Sequence, residues 1–217
     1  MPPPVVAGTQ LLFAVDGLDQ PALGQALQQL TLTWTGARKV ICVAVFGDWG
    51  PADGGSPGFL WSDGRMLRPN LELAVQQGGE RVFSGRVVTV ESRLGGGEAP
   101  VFAARVEGRA PARKTAGLPV RPLRWGVDLL RLAAEVEGTG ATRTTARLKA
   151  EAIGDVALGP AALRPGRAIE VLDVGALFAG QYVLTTVELH FDLSRGLHVE
   201  FTAKRAPGPS GRRAPDR

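Results

Sequence analysis

Between Thr185 and Ala203 the chain alternates apolar and polar residues with a period of two, and no other feature limits its fold as tightly. Thr185, Val187, Leu189, Phe191 and Leu193 oppose Thr186, Glu188, His190 and Asp192. The alternation resumes in phase, with Leu197, Val199, Phe201 and Ala203 against His198, Glu200, Thr202 and Lys204. Such a pattern on both sides of a short polar break predicts a β-hairpin with one buried face. The break, Ser194-Arg195-Gly196, fits a three-residue loop closed by a left-handed glycine. That register pairs Phe191 with Val199 and Leu189 with Phe201, and sets Asp192 against His198 and His190 against Glu200. Pairs of this kind contribute about 0.2–1 kcal/mol each.

The same order of features occurs twice. Leu67-Arg68-Pro69-Asn70 precedes a strand and then Phe83-Ser84-Gly85-Arg86-Val87-Val88. Leu163-Arg164-Pro165-Gly166 precedes a strand and then Phe178-Ala179-Gly180-Gln181-Tyr182-Val183. Each copy turns through glycine into an alternating strand, Val101–Val106 or Leu197–Ala203. This order predicts one β module used twice: a mainly β fold of two related β-barrels with one or two short helices. Gly85 and Gly180 are expected at sharp bends or close backbone approaches. The plainer alternative is the punctuation any all-β protein carries. The expected division is a first module over 1–110, a linker over 111–124, a second module over 125–205 and a flexible basic tail over 206–217.

Charge locates little function. From residue 204 onward five basic residues face one acidic residue, leaving 20 of the 25 basic and 20 of the 21 acidic residues in a neutral body. The basic excess therefore belongs to a solvated tail, which argues against nucleic acid. Cys42, the single cysteine, sits in the apolar run Val40–Phe46 and reads as a buried small hydrophobe. No run is long enough to span a membrane and the start lacks a signal core, so synthesis in the cytoplasm without a membrane anchor is expected.

Taken in order, Val5–Val15 reads as a strand, and Asp19-Gln20-Pro21 opens a short helix ending near Leu30. Leu30–Thr35 and Lys39–Phe46 are strands. Residues 47–64 form a long loop carrying Trp49, Phe59 and Trp61, whose aromatics form either a partner surface or a lid folded back on the barrel. Trp125–Glu137 fits a helix by spacing and a strand by composition. Thr142–Ile153 has weak helical character.

Two histidines, one cysteine and one tyrosine leave few parts for an active site. No nucleophile elbow, phosphate loop or paired metal-binding cysteine motif is present. His190, Asp192, His198 and Glu200 read as a row of cross-strand polar pairs. Gly95-Gly96-Gly97 follows a strand but opens no helix, so it supports no phosphate cradle. The expectation is a protein with no catalytic residue, cofactor or metal.

Leu163, Pro165, Gly166, Phe178, Gly180, Tyr182, His190, Phe201 and Arg205 form an ordered pattern. It resembles the end of the hub region in phage late control D proteins and in VgrG spikes of contractile injection systems. Phe83–Glu91 is similar to the strand closing the first barrel there. The segment between the barrels is shorter here, and nothing resembles the downstream OB-fold or needle. The resemblance implies a structural baseplate hub, a homotrimer whose six related barrels join a threefold spike to a sixfold inner tube. Its partners would then be a spike-tip protein, the inner tube protein and other baseplate proteins, and its final location an assembled tail or injection particle. Phe83, Gly85, Phe178, Gly180, Tyr182, His190, Trp49 and Trp61 are the structural and interface candidates. The alternative is a two-barrel module binding carbohydrate or nucleic acid.

Overall fold

The computed structural model describes residues 11–34, 39–51, 56–95, 97–109, 119–139, 143–153 and 163–205. The expected strand residues before Leu11, most of the linker and the basic tail lie outside them. The first half contains β1 (Leu11–Val15), β2 (Leu18–Asp19), helix α1 (Pro21–Ala26), β3 (Leu27–Trp34) and β4 (Lys39–Gly47). It continues with a small hairpin, β5 (Trp49–Pro51) and β6 (Pro57–Phe59). Then come β7 (Glu72–Gln77), β8 (Glu80–Gly95) and β9 (Glu98–Arg109). The second half has β10 (Arg121–Arg124), β11 (Leu129–Thr139), β12 (Arg143–Ile153), β13 (Ala168–Leu172), β14 (Gly180–Asp192) and β15 (Gly196–Arg205). β10 falls at the end of the expected linker and pairs in parallel with β13. Among the described residues, all strands but β5 and β6 join one 13-stranded sheet, mostly antiparallel. The fold is mainly β, with one short helix.

Three sequence expectations are corrected. The helix stops at Ala26, four residues early, because Leu27 turns to extended backbone and β3 begins there. Leu27, Leu30 and Leu32 are buried along β3, so the leucine spacing read as helical serves mainly a strand. Residues 129–139 and 143–153 are strands. Leu148, Ala150 and Ala152 are buried and alternate with exposed Arg147 and Lys149, while Glu151 on the opposite face is buried as well. Alanine's helix propensity is overridden by pairing of β12 with β11 and β15.

The third correction concerns the β14–β15 hairpin, which is shifted by two residues. Leu189 lies opposite Val199, Val187 opposite Phe201 and Asp192 opposite Gly196, so the loop is Leu193-Ser194-Arg195. A shift of two keeps Val187–Asp192 and their partners on β15 on their predicted faces. Asp192 decides it. Its Oδ1 accepts from the backbone N–H of Ser194 at 2.9 Å and of Arg195 at 2.7 Å, a carboxylate cap that needs the loop to start one residue after it. A bulge at Thr185 moves Leu184 and Tyr182 into the core and Thr185 to the surface, and Leu193 is exposed in the loop.

The two halves repeat in their hydrogen bonding. Val87 opposite Val106 matches Leu184 opposite Ala203, and Gly85 opposite Gly108 matches Tyr182 opposite Arg205. In each case the second pair lies 97 residues after the first (87 to 184, 106 to 203). Both long strands carry a bulge at matching positions, after Val87 and after Leu184. The twin Leu-Arg-Pro motifs also gain a reason. The N–H of Leu71 bonds the carbonyl of Arg68, and that of Arg167 the carbonyl of Arg164. Proline stands at the second turn position, and the third has φ of 77° at Asn70 and 85° at Gly166, the geometry of a type II turn. Each turn then clasps its long strand: Asn70 N–H to Val87 and Gly166 N–H to Leu184, both at 2.8 Å. The glycine match is displaced, however. Gly85 superposes on Tyr182, not on Gly180, so the two Phe-x-Gly motifs lie two residues out of register.

Candidate assembly surface

The halves meet where β14 pairs with β3. The bulge at Thr185 divides β14 into two parts. Residues 180–183 pair with β13, whereas Val187–Asp192 pair antiparallel with Gln29–Trp34 of β3. On the core side of this joint Val187, Leu189, Leu30, Leu32 and Trp34 are buried, and Phe191 packs against them. Arg164, from the second type II turn, lies 4.2 Å over the Trp34 ring, a cation–π contact tying that turn to the first half.

The other face of the joint carries the histidines. His190 does not face Glu200 as the predicted register had it. It lies opposite His198, and the rings stack at 5.1 Å and 17°. Thr31 Oγ1 of β3 is 3.4 Å from His190 Nδ1. His198 is buried, with Arg195 Nη2 at 2.6 Å from its Nε2. A guanidinium only donates, so the imidazole must be neutral to accept. Burial, then the charge of Arg195 and then His190 hold the His198 pKa below the ordinary histidine value. Arg195 is held in turn by Glu151, itself buried, and by Asp192. Among the described residues no group of three or more His, Cys, Asp or Glu gathers to hold a metal ion.

The loop aromatics divide. Trp61 is buried and donates from Nε1 to the Gly47 carbonyl at 2.7 Å, folding back on the sheet. Trp49 and Phe59 meet edge to face at 5.3 Å across the β5–β6 hairpin and remain 52% and 44% exposed. Asp48, which sequence reasoning missed, anchors this loop. It is fully buried, accepting the N–H of Leu60 at 3.0 Å, that of Trp61 at 2.7 Å and the Ser62 hydroxyl. A lone carboxylate directly after a buried strand was its only signal.

The other candidates are structural. Phe83 and Tyr182 are fully buried, and Phe178 is half-buried. Tyr182 donates to the Phe178 carbonyl at 2.7 Å, and Arg205 Nη2 donates to the carbonyls of Leu177 at 2.7 Å and Ala179 at 3.2 Å. Gly180 has φ of 128°, and a Cβ there would meet nothing within 4 Å.

Two strand edges have no strand against them among the described residues. β8 pairs with β7 only as far as Arg86, so the edge of its second part, Val88–Gly95, is open. β11 pairs with β12 on one side only. A shallow groove of about 560 Å³ runs across β11, β12 and β15, lined by Ala133, Glu135, Arg147, Lys149, Thr202 and Lys204 among others.

No protein-family model and no curated protein matches the chain. Solved structures do. The tail protein from Neisseria meningitidis MC58 matches with a TM-score of 0.61 at 9% identity, over 91% of this chain and 96% of its own. The 43 kDa tail protein of prophage MuSo2 from Shewanella oneidensis matches with 0.60 at 8% identity, over 91% and 98%. The fold is that of phage tail proteins. The E. coli c3393 protein shares it, with a TM-score of 0.57 at 10% identity over 90% of this chain and 77% of its own. That protein is a component of the type VI secretion system, described as similar to the T4 bacteriophage tail proteins gp27 and gp5.

Proposed function

We propose that this chain is a non-enzymatic baseplate hub of a contractile phage tail or injection system, of the late control D type. Three copies form a ring that joins the central spike to the inner tube. The observation that carries this reading is the repeat of strand order, bulge and clasping turn in both halves. Three chains with two equivalent halves present six similar units around a threefold axis, which suits a threefold partner on one side and a sixfold one on the other. The tail-protein fold supports the same role. Trp49 and Phe59, held out on the Asp48-anchored loop, are placed to meet a spike, tube or other baseplate protein. Among the described residues no helix is long and apolar enough to cross a membrane.

Tagging the protein in its source cells, purifying gently and identifying its companions tests the proposal. Recovery in tail-like particles with sheath, tube and spike proteins, at three copies per particle, is the expected result. A lone monomer inside intact particles, or recovery with glycan or nucleic acid instead, would overturn it.

A further inference from the structure

The β5–β6 hairpin holds an aromatic notch that is left half exposed. Trp49 and Phe59 lie directly opposite each other, and their rings meet at 81°, so the two ring faces bound a right-angled recess. The recess is preformed. Towards the tip Gly50 faces Gly58 and Pro51 faces Pro57. A Cβ on Gly50 would stand 3.2 Å from Leu60 Cδ1, so the hairpin lies close against Leu60, and Asp48 fixes its base. A small apolar ring can therefore enter without the site first having to order.

Proline fits such a recess. Its pyrrolidine ring is apolar and stacks on aromatic faces, and consecutive prolines favour the extended polyproline II form, so docking costs them little entropy. The chain has one run of consecutive prolines, Pro2-Pro3-Pro4. We infer that Pro2–Pro4 dock in the Trp49–Phe59 notch of the same chain. The inference concerns the chain by itself and does not rest on the ring reading. It adds one condition to that reading: a partner that takes the aromatic pair has to displace the prolines.

Reach selects this segment. β1 starts at Leu11, and its Phe13 meets Phe46 of β4 edge to face at 5.4 Å. The Leu11 carbonyl oxygen would stand 2.9 Å from a Cβ on Gly24 in α1, and the Ala26 carbonyl oxygen 3.8 Å from one on Gly47. Through these contacts Trp49 lies at most roughly 28 Å from Leu11. Pro4 and Pro2 precede Leu11 by seven and nine residues, an extended reach of roughly 23–32 Å. The isolated prolines after Arg205 depart from the other end of the sheet. Gly196 shares a row with Asp192, Gln29 and Val45, near the notch, and Arg205 lies roughly 30 Å further along β15.

The test uses the full chain carrying Val5→Cys labelled with bimane, a fluorophore that tryptophan quenches on contact. The native Cys42 is fully buried with its thiol pKa raised by burial, so it takes no label. The label is expected to be quenched, and Trp49→Phe, which removes the quencher, to restore its emission. Trp125→Phe, at another exposed tryptophan, should not. Phe59→Ala keeps the quencher but opens the notch, and should restore emission as well. So should Pro2→Ser, Pro3→Ser and Pro4→Ser together. Unfolding midpoints equal to that of the parent chain confirm that each variant is folded, because all the altered side chains lie outside the core. A label that is never quenched overturns the inference, as does quenching that survives Trp49→Phe or the loss of the prolines. Quenching that grows with protein concentration also overturns it, by placing the prolines of a second copy in the notch. Copy number in the particles tests the ring separately.

Discussion

Gly85 on β8 lies directly opposite Gly108 on β9, and neither position has room for a side chain. A Cβ on Gly85 would stand 2.5 Å from the Glu107 carbonyl oxygen, and one on Gly108 would stand 2.1 Å from that of Ser84. The equivalent pair in the second half is Tyr182 and Arg205, whose side chains stack at 5.5 Å and pin the segment Leu177–Gly180. One position in the repeat thus serves a close backbone crossing in one half and a clamp in the other.

Gly85→Ala should therefore cost at least about 2 kcal/mol, since the obstructing atoms are backbone. Gly180→Ala should cost about 1 kcal/mol, from its positive φ alone. Urea denaturation of both variants measures the difference. Equal losses would mean that the crossing at Gly85 relaxes.

Asp48→Ala removes the acceptor for two backbone N–H groups and a serine hydroxyl at a fully buried site. A loss of about 2–4 kcal/mol is expected. Asp48→Asn, which keeps a carbonyl acceptor, should lose less. Trp61 fluorescence in an Asp48→Ala chain should report release of the loop before global unfolding.

The histidine joint makes stability fall in mild acid. His198 has its pKa lowered in the folded state, so the unfolded chain binds the extra proton first. Stability is complete above the unfolded value near 6.5 and falls as pH drops from there towards the depressed folded value. His198→Phe, which keeps a ring but cannot titrate, should flatten the stability profile below about pH 6.5. Asp192 acts lower. Its carboxyl is held at about 2, first by the Ser194 hydroxyl, and its contribution is lost as pH falls from the ordinary value near 3.8 towards that point.

Tyr182→Phe deletes the part-buried hydrogen bond to the Phe178 carbonyl and the longer one accepted from Arg205 Nη2 at 3.4 Å, and should cost about 1 kcal/mol. Arg205→Ala frees the carbonyls of Leu177 and Ala179, so amide exchange should rise over Leu177–Gly180 while β15 stays protected.

Much of this molecule was legible as period-two alternation. The buried face formed by Val187, Leu189, Val199, Phe201 and Ala203 follows from it directly, and the Leu-Arg-Pro motifs marked a repeat. The failures came where a local signal competed with pairing. Alanines in β12 read as helix because the sequence does not display the strands on either side. The β14–β15 loop was misplaced because glycine outweighed the Asp192 cap, a side-chain hydrogen bond that composition hides. The Phe-x-Gly motifs were matched on their letters although one glycine yields space and the other yields φ. At the candidate site His190 was found, but its partner His198 was set opposite Asp192, two residues off, and Asp48 drew no notice because its three donors come from a loop twelve to fourteen residues away.

The most direct test of the account is electron cryo-microscopy of particles containing this chain, resolved at the layer where spike meets tube. The account predicts three copies forming six similar units around the axis, with a β14–β3 joint inside each chain. Six copies in the layer, or a chain lying outside the ring, would contradict it.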